Sequence, residues 1–172
     1  ENIAILDPDG DGCIDCEGGM HDAGDHVKFG LPGSYAASTL GWGYYEFREA
    51  YEKTGNQEHI EEILRNFCDF YLKGTYYKED GSLLAFVYQV GGGNIDHNYW
   101  ICPDLQGEHL LDFQRPAYLA TTETPASDMC AGTAAALAIN YLNFKDTDAP
   151  YAAECLKAAY ALYDFAVETH EE

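Results

Sequence analysis

A helical period that recurs four times, broken by long stretches with no period, constrains this chain most. From Pro32 to Thr54, Ala36, Leu40, Tyr44, Phe47 and Tyr51 fall at three- and four-residue steps, and "TGN" at 54–56 supplies the stop. A second segment, Gln57–Lys73, carries Ile60, Ile63, Leu64, Phe67, Phe70 and Tyr71 on one side, and Gly74 ends it. The period returns at "PASDMCAGTAAALAINYL", where Ser127 or Asp128 can cap, and again from Pro150 to His170 through Ala152, Cys155, Ala159, Leu162 and Ala166. Four such segments predict a mainly α fold of antiparallel helix pairs, with polar and aromatic loops gathered at one end.

The stretches between carry different signals. Residues 1–31 are rich in Gly and Asp and read as loop; Leu83–Val90 reads as a short extended run between a turn at Asp80-Gly81 and the glycines at 91–93. Residues 91–124 have little period and many aromatics, which predicts a functional loop rather than slack. The 172 residues, 47% hydrophobic, are enough for one packed domain. A net charge of −21 repels phosphate backbones and anionic lipid surfaces, so nucleic acid and membranes are excluded as expected partners. No apolar run approaches the roughly 20 residues that span a bilayer, and no basic-then-apolar leader opens the sequence, so the protein is either cytosolic or has its leader outside these residues. The loop at one end and "ETHEE" at the other predict a piece of something larger. Of six cysteines, Cys68, Cys130 and Cys155 fall in helical patterns and are expected as free thiols; only "CIDC", Cys13 to Cys16, has paired-ligand spacing.

Three loops carry the candidate chemistry. In "GGMHDAGDHVKFG", Asp22 and Asp25 stand three residues apart among glycines and flanked by His21 and His26, and on a loop such a pair can aim at one metal ion or one water. Upstream, "DPDGDGCID" alternates Asp7, Asp9, Asp11 and Asp15 like the first half of a calcium loop, but the twelfth position is Gly18 rather than Glu; a solvated acidic turn and a non-EF calcium loop both fit. Downstream, "NIDHNYW" gathers Asp96, His97, Tyr99 and Trp100. A ring face stacking on a pyranose and an imidazole bonding its hydroxyls suit a sugar site, while Trp100 as a core anchor is the competing reading.

With these residues in view, "GGMHDAGDHVKFGLPGSYAASTLGWGYYEF" resembles the catalytic-base region of family 9 glycoside hydrolases, mostly endo-β-1,4-glucanases. "YQVGGGNIDHNYW", "RPAY" at 115–118 and "PASDMCAGTAAALA" at 125–138 resemble that family's next blocks in the same order. The resemblance implies an (α/α)6 barrel, incomplete here, with 1–172 a partial catalytic domain truncated at both ends. It implies inverting hydrolysis of β-1,4-glucosidic bonds in cellulose and related β-glucans: one carboxylate activates water while a protonated acid serves the leaving oxygen from roughly 6.5–9.5 Å away. Asp25 matches the family's general base and Asp22 the partner that holds the same water. His97 and Trp100, with Tyr99 between them, match its substrate contacts. His21 matches a structural zinc ligand of some relatives, for which this chain would need Cys13 or Cys16 as further ligands; calcium, through Asp7, Asp9 and Asp11, is the other metal expected, and neither is required for the chemistry. The general acid, a glutamate far beyond this motif in the family, has no match in Glu168, Glu171 or Glu172. The resemblance further implies secretion, and a cellulosome scaffold as partner through a dockerin outside this chain. A non-catalytic carbohydrate-binding or calcium-dependent adhesion module is the alternative from another class, and a helical metal-binding protein built on Cys13, Cys16 and His21 is a third. In all of this Asp22, Asp25, His97 and Trp100 are expected on loops at the same end of the helices.

Overall fold

A computed structural model of the chain describes residues 6, 7, 10, 12–98, 100–105 and 115–170. Within them lie helices α1 (Gly30–Glu46), α2 (Arg48–Thr54), α3 (Gln57–Lys73), α4 (Ser127–Phe144) and α5 (Ala149–Glu168) and strands β1 (Thr75–Tyr77), β2 (Leu83–Val90) and β3 (Ala117–Ala120), with short 3-10 turns at Asp96–Asn98 and Pro103–Leu105. The fold is mainly helical, as the period predicts, and α4 packs along both α1 and α5 in the most extensive helix contacts.

The expected helix over 32–54 is two helices. Phe47, with φ −117° and ψ 29°, interrupts it, and the amides of Ala50 and Tyr51 turn back to the Phe47 carbonyl to start α2. Phe47 matched the apolar pattern but is 65% exposed, so its place in the period does not reflect burial in the core. Gly55 closes α2 in the left-handed region at φ +70°, the residue that the stop signal needs. At the start of α4 neither Ser127 nor Asp128 caps: the N-cap is Ala126, and the Ser127 hydroxyl pairs instead with that of Thr169 at the end of α5, 2.9 Å away. Asp148 does cap α5, accepting the Tyr151 amide at 3.3 Å, and its carboxylate also pairs with Arg65 at 3.1 Å, tying α3 to the α4–α5 turn.

The three-stranded antiparallel sheet, in the order β1-β2-β3, goes beyond the single extended run read from the sequence. β1 has three residues and β3 four, too short to show a period, and β3 lies inside the stretch read as loop. The register pairs Thr75 with Phe86 on one side of β2, and Ala120 with Phe86 and Ala117 with Val90 on the other, with irregularities at Tyr76/Tyr77 and Val87/Gln89 that bend it.

One core joins the sheet to the helices: Phe86 and Val87 from β2, Phe67, Cys68 and Tyr71 from α3, Leu137 from α4 and Cys155 and Leu162 from α5 are all buried. The cysteines of the helices are free thiols, as expected. The apolar residues of α3 are concentrated on one face, whereas α1 and α4 are apolar nearly all round. On their flank Ser38, Thr39, Trp42, Ala135, Ile139 and Leu142 line an apolar groove of about 790 Å³. Their contact is close enough to demand glycine at 41, where a Cβ would lie 2.9 Å from both Asn140 Oδ1 and Ile139 Cγ2. Asn140 is fully buried, and its Oδ1 accepts Asn143 Nδ2, which also donates to the Gly41 carbonyl at 2.9 Å. Gly41→Ala therefore sets overpacking of about 1–3 kcal/mol against a helix-propensity gain of at most about 1 kcal/mol. A net loss of about 1 kcal/mol is expected, read as a lowered midpoint in urea denaturation.

Candidate active site

The site is gathered by the sheet. Lys28 and Val90 exchange backbone hydrogen bonds, Lys28 N–H to Val90 O at 2.9 Å and Val90 N–H to Lys28 O at 3.2 Å, which pins the loop before α1 against the end of β2. Gly30 lies so close to the Tyr88 carbonyl that no Cβ fits, so the approach is backbone to backbone. On the other side of β2, Ala117 pairs with Val90 and the Gly91 amide donates to the Pro116 carbonyl at 2.9 Å. The Asp22–Asp25 loop, the residues after Val90 that include His97 and Trp100, and Arg115 thus lie at one end of β2.

Asp22 N–H donates to the Val27 carbonyl at 3.0 Å and closes the first loop into a tight turn. Inside it Asp25 is 1% exposed. Its Oδ1 accepts the Ala23 amide at 3.3 Å, and its Oδ2 lies 2.5 Å from His97 Nδ1. The Asp22 side chain is exposed. Trp100, 61% exposed, is not a core anchor: its indole lies over Gly24, where a Cβ would be 2.6 Å from the ring, and its Nε1 donates to the His97 carbonyl at 2.6 Å. Its ring and that of His97 meet edge-on, with centroids 6.4 Å apart. Asp25, His97 and Trp100 are therefore in one place, with Asp22 on the same turn, as expected from the sequence; Tyr99 lies outside the described residues.

Two of the expected metal ligands, Asp7 and His21, contact the protein itself. Asp7 uses both carboxylate oxygens on backbone amides, those of Gly10 and Gly12, each at 2.9 Å; Asp9 and Asp11 lie outside the described residues. Cys13 is exposed and Cys16 half-buried, and burial pushes the Cys16 thiol above its ordinary range. His21 packs against the His26 ring with centroids 5.3 Å apart, and burial, then the neighbouring His26, push its imidazole down. Lys28 Nζ donates to the Cys16 and Gly18 carbonyls at 2.6 and 2.5 Å, placing an ammonium where a cation would need those oxygens. Burial lowers the pKa of that ammonium. Among the described residues no three His, Cys, Asp or Glu side chains converge to hold a metal ion.

Three residues that sequence reasoning gave no role complete the arrangement. His26 is buried and its Nε2 pairs with the Ile101 carbonyl at 2.9 Å, while its Nδ1 has no hydrogen-bond partner among the described residues. Asp96 is fully buried, and Arg115 Nε donates to its Oδ2 at 2.9 Å. His26 and Asp96 stand within the two quoted loop motifs without a role of their own there, and the signal for Arg115 was "RPAY" alone, an arginine in a segment read as loop. Chemically the site offers a held carboxylate, an exposed carboxylate on the same turn, an imidazole and an open aromatic face. Such groups can accept a proton, hydrogen-bond hydroxyls and stack on a ring.

The catalytic domain of Clostridium thermocellum CelT is 50% identical and matches with a TM-score of 0.91, covering 99% of this chain and 34% of that one. The cellulase Cel9M of C. cellulolyticum, solved in complex with cellobiose, is 45% identical with a TM-score of 0.80 over 92% of this chain and 34% of that one. Endoglucanase 4 of Bacillus sp. (strain KSM-522) is 41% identical over 152 residues, 88% of this chain and 22% of that protein. The chain thus spans about a third of the solved chains and about a fifth of that endoglucanase. The sequence profile of glycosyl hydrolase family 9 matches residues 2–172, and this chain belongs to that family.

Proposed function

We propose that this chain is the catalytic-base portion of an inverting endo-β-1,4-glucanase that hydrolyses cellulose and related β-glucans. The observation that carries the reading is the meeting of Asp25 with His97 beside the exposed Trp100, on the same tight turn as Asp22. In this reading a glucosyl ring stacks on the indole and water sits beneath its anomeric carbon. Asp25 takes the proton from that water as it attacks, Asp22 orients it, and His97 holds Asp25 in place. A glutamate from the part of the domain that this chain does not span protonates the leaving oxygen, so the 172 residues alone carry half of the acid–base pair. Helices of that same part cover the apolar flank of α1 and α4 and complete an (α/α)6 barrel, which accounts for two helices with no polar side.

The substrate is an insoluble polymer that cannot enter a cell, so the enzyme works after secretion; a dockerin elsewhere in the protein would place it on a cellulosome scaffold. Calcium and zinc enter only as structural ions near residues 7–21, and no step runs through them. The full burial of the Asp25 side chain against the exposure of Asp22 favours a second reading, in which Asp22 takes the proton and Asp25 orients the water.

In the complete enzyme Asp25→Asn should lower turnover by about 10²–10⁴-fold while oligosaccharide binding survives, and Asp22→Asn should lose less. The two readings exchange these losses. Azide separates them again, because it attacks from the face vacated by the base: the alanine variant that yields the inverted glycosyl azide marks the base. Near-normal turnover in Asp25→Asn, or activity restored by calcium, would sink the acid–base assignment, and a complete enzyme that binds glucan but releases no reducing sugar would favour a binding module.

Trp100→Ala in the complete enzyme should weaken cellopentaose binding by about 1–3 kcal/mol, the scale of ring stacking on aromatic platforms, and leave the melting temperature unchanged. Calorimetric titration reads the first and scanning calorimetry the second. Unaltered binding would remove the platform role.

A further inference from the structure

Arg115 has no part in the reading above, yet it touches both of the loops that make the Asp25–His97 pair. Its Nε donates to Asp96 Oδ2 at 2.9 Å, and its Nη2 donates to the carbonyl of His26. Asp96 is the residue before His97, and His26 is the residue after Asp25. A single guanidinium therefore grips the immediate neighbour of each partner in the 2.5 Å Asp25–His97 contact, from a segment 89 residues distant from the first loop.

Two independent features show that the fold makes room for this grip. Asp96 is fully buried, and a buried carboxylate is tolerable only with a charged or multiply hydrogen-bonding partner; Arg115 supplies one while remaining 29% exposed itself. Gly91 has φ +93°, and any Cβ there would run into the Asp96 carboxylate, so the position beside Asp96 admits only glycine. The guanidinium carries its Nε and Nη2 donors in one rigid plane, so the two bonds are held at a fixed spacing that the compact, rotatable ammonium of a lysine does not fix.

We propose that Arg115 and Asp96 form the positioning pair of the catalytic carboxylate: together they fix the separation and orientation of Asp25 and His97. The inference rests on the reading of Asp25 as a residue of the hydrolytic machinery. The pair acts through that contact and not on the substrate.

The test uses the complete enzyme and a soluble β-1,4-gluco-oligosaccharide, with Arg115→Lys made both alone and in an Asp25→Asn background. Arg115→Lys keeps the charge opposite Asp96 and loses the rigid plane that links the two bonds. Misplacement of a reacting group by about an ångström is worth about 10²-fold, so kcat should fall about 10- to 100-fold while KM stays within about threefold. In the Asp25→Asn background the same change should cost less than about twofold, because the contact through which it acts is already spoiled. A kcat within about twofold of the parent overturns the proposal, and so does an equal loss in both backgrounds, which would place the effect elsewhere. Asp25→Asn alone reports on the underlying reading: normal turnover there removes it whatever Arg115 does. If circular dichroism finds Arg115→Lys unfolded, the isosteric Asp96→Asn carries the same comparison, and the unfolding of both would make the pair a stability device and overturn the proposal.

Discussion

The exchange of two backbone hydrogen bonds between Lys28 and Val90 is the constraint on which the rest of the site depends. It turns a glycine-rich loop into an added rung of the sheet and sets it beside β2 where β1 has run out. With Ala117 opposite the same Val90, three remote stretches of chain begin from one fixed point. Asp25 lies three residues before Lys28, His97 seven after Val90, and Arg115 two before Ala117. Short tethers of this kind leave each loop little freedom, so the side chains they carry meet without a dedicated scaffold of their own.

Burial then decides what those side chains must do. Asp25 and Asp96 are both withdrawn from water in a chain already carrying thirty acidic residues against nine Lys and Arg. Neither carboxylate is left to itself: Asp25 lies against His97 and the Ala23 amide, and Asp96 against Arg115. In a low-dielectric interior each such pair is strong when made and costly when broken, so the loops are joined by interactions that do not loosen by degrees. Lys28 serves the first loop in the same way, its ammonium on the Cys16 and Gly18 carbonyls and 5.0 Å from the centre of the Phe70 ring.

Helical content was legible because a 3.6-residue apolar period over 17 residues or more, as in α3 and α5, is a long-range average that local irregularity does not erase. The break at Phe47 was hidden for the same reason, since an average cannot register one residue of altered backbone. The outer strands were hidden by length: a period of two needs more than the three residues of Thr75–Tyr77. Asp25, His97 and Trp100 were legible through short motifs on loops, where polar and aromatic residues without period ask for an explanation. Arg115 and Asp96 were not, because the meaning of an arginine 19 residues from an aspartate lies in a tertiary contact that no spacing rule encodes. At Asp7 the alternation coincides with a turn in which the carboxylate accepts the Gly10 and Gly12 amides, a contact that spacing alone does not show.

The contacts that define the site join residues far apart in the chain: 72 positions between Asp25 and His97, 75 between His26 and Ile101, 89 between His26 and Arg115. Local helices close small loops and can form early, whereas each of these contacts must offset the entropy of closing a long one before it returns any energy. The helices and the sheet consequently have to be in place before the carboxylate, imidazole and guanidinium can find one another. Contacts of such long sequence separation place the meeting of Asp25, His97 and Arg115 late on the folding path, after the helices and hairpins whose contacts are local.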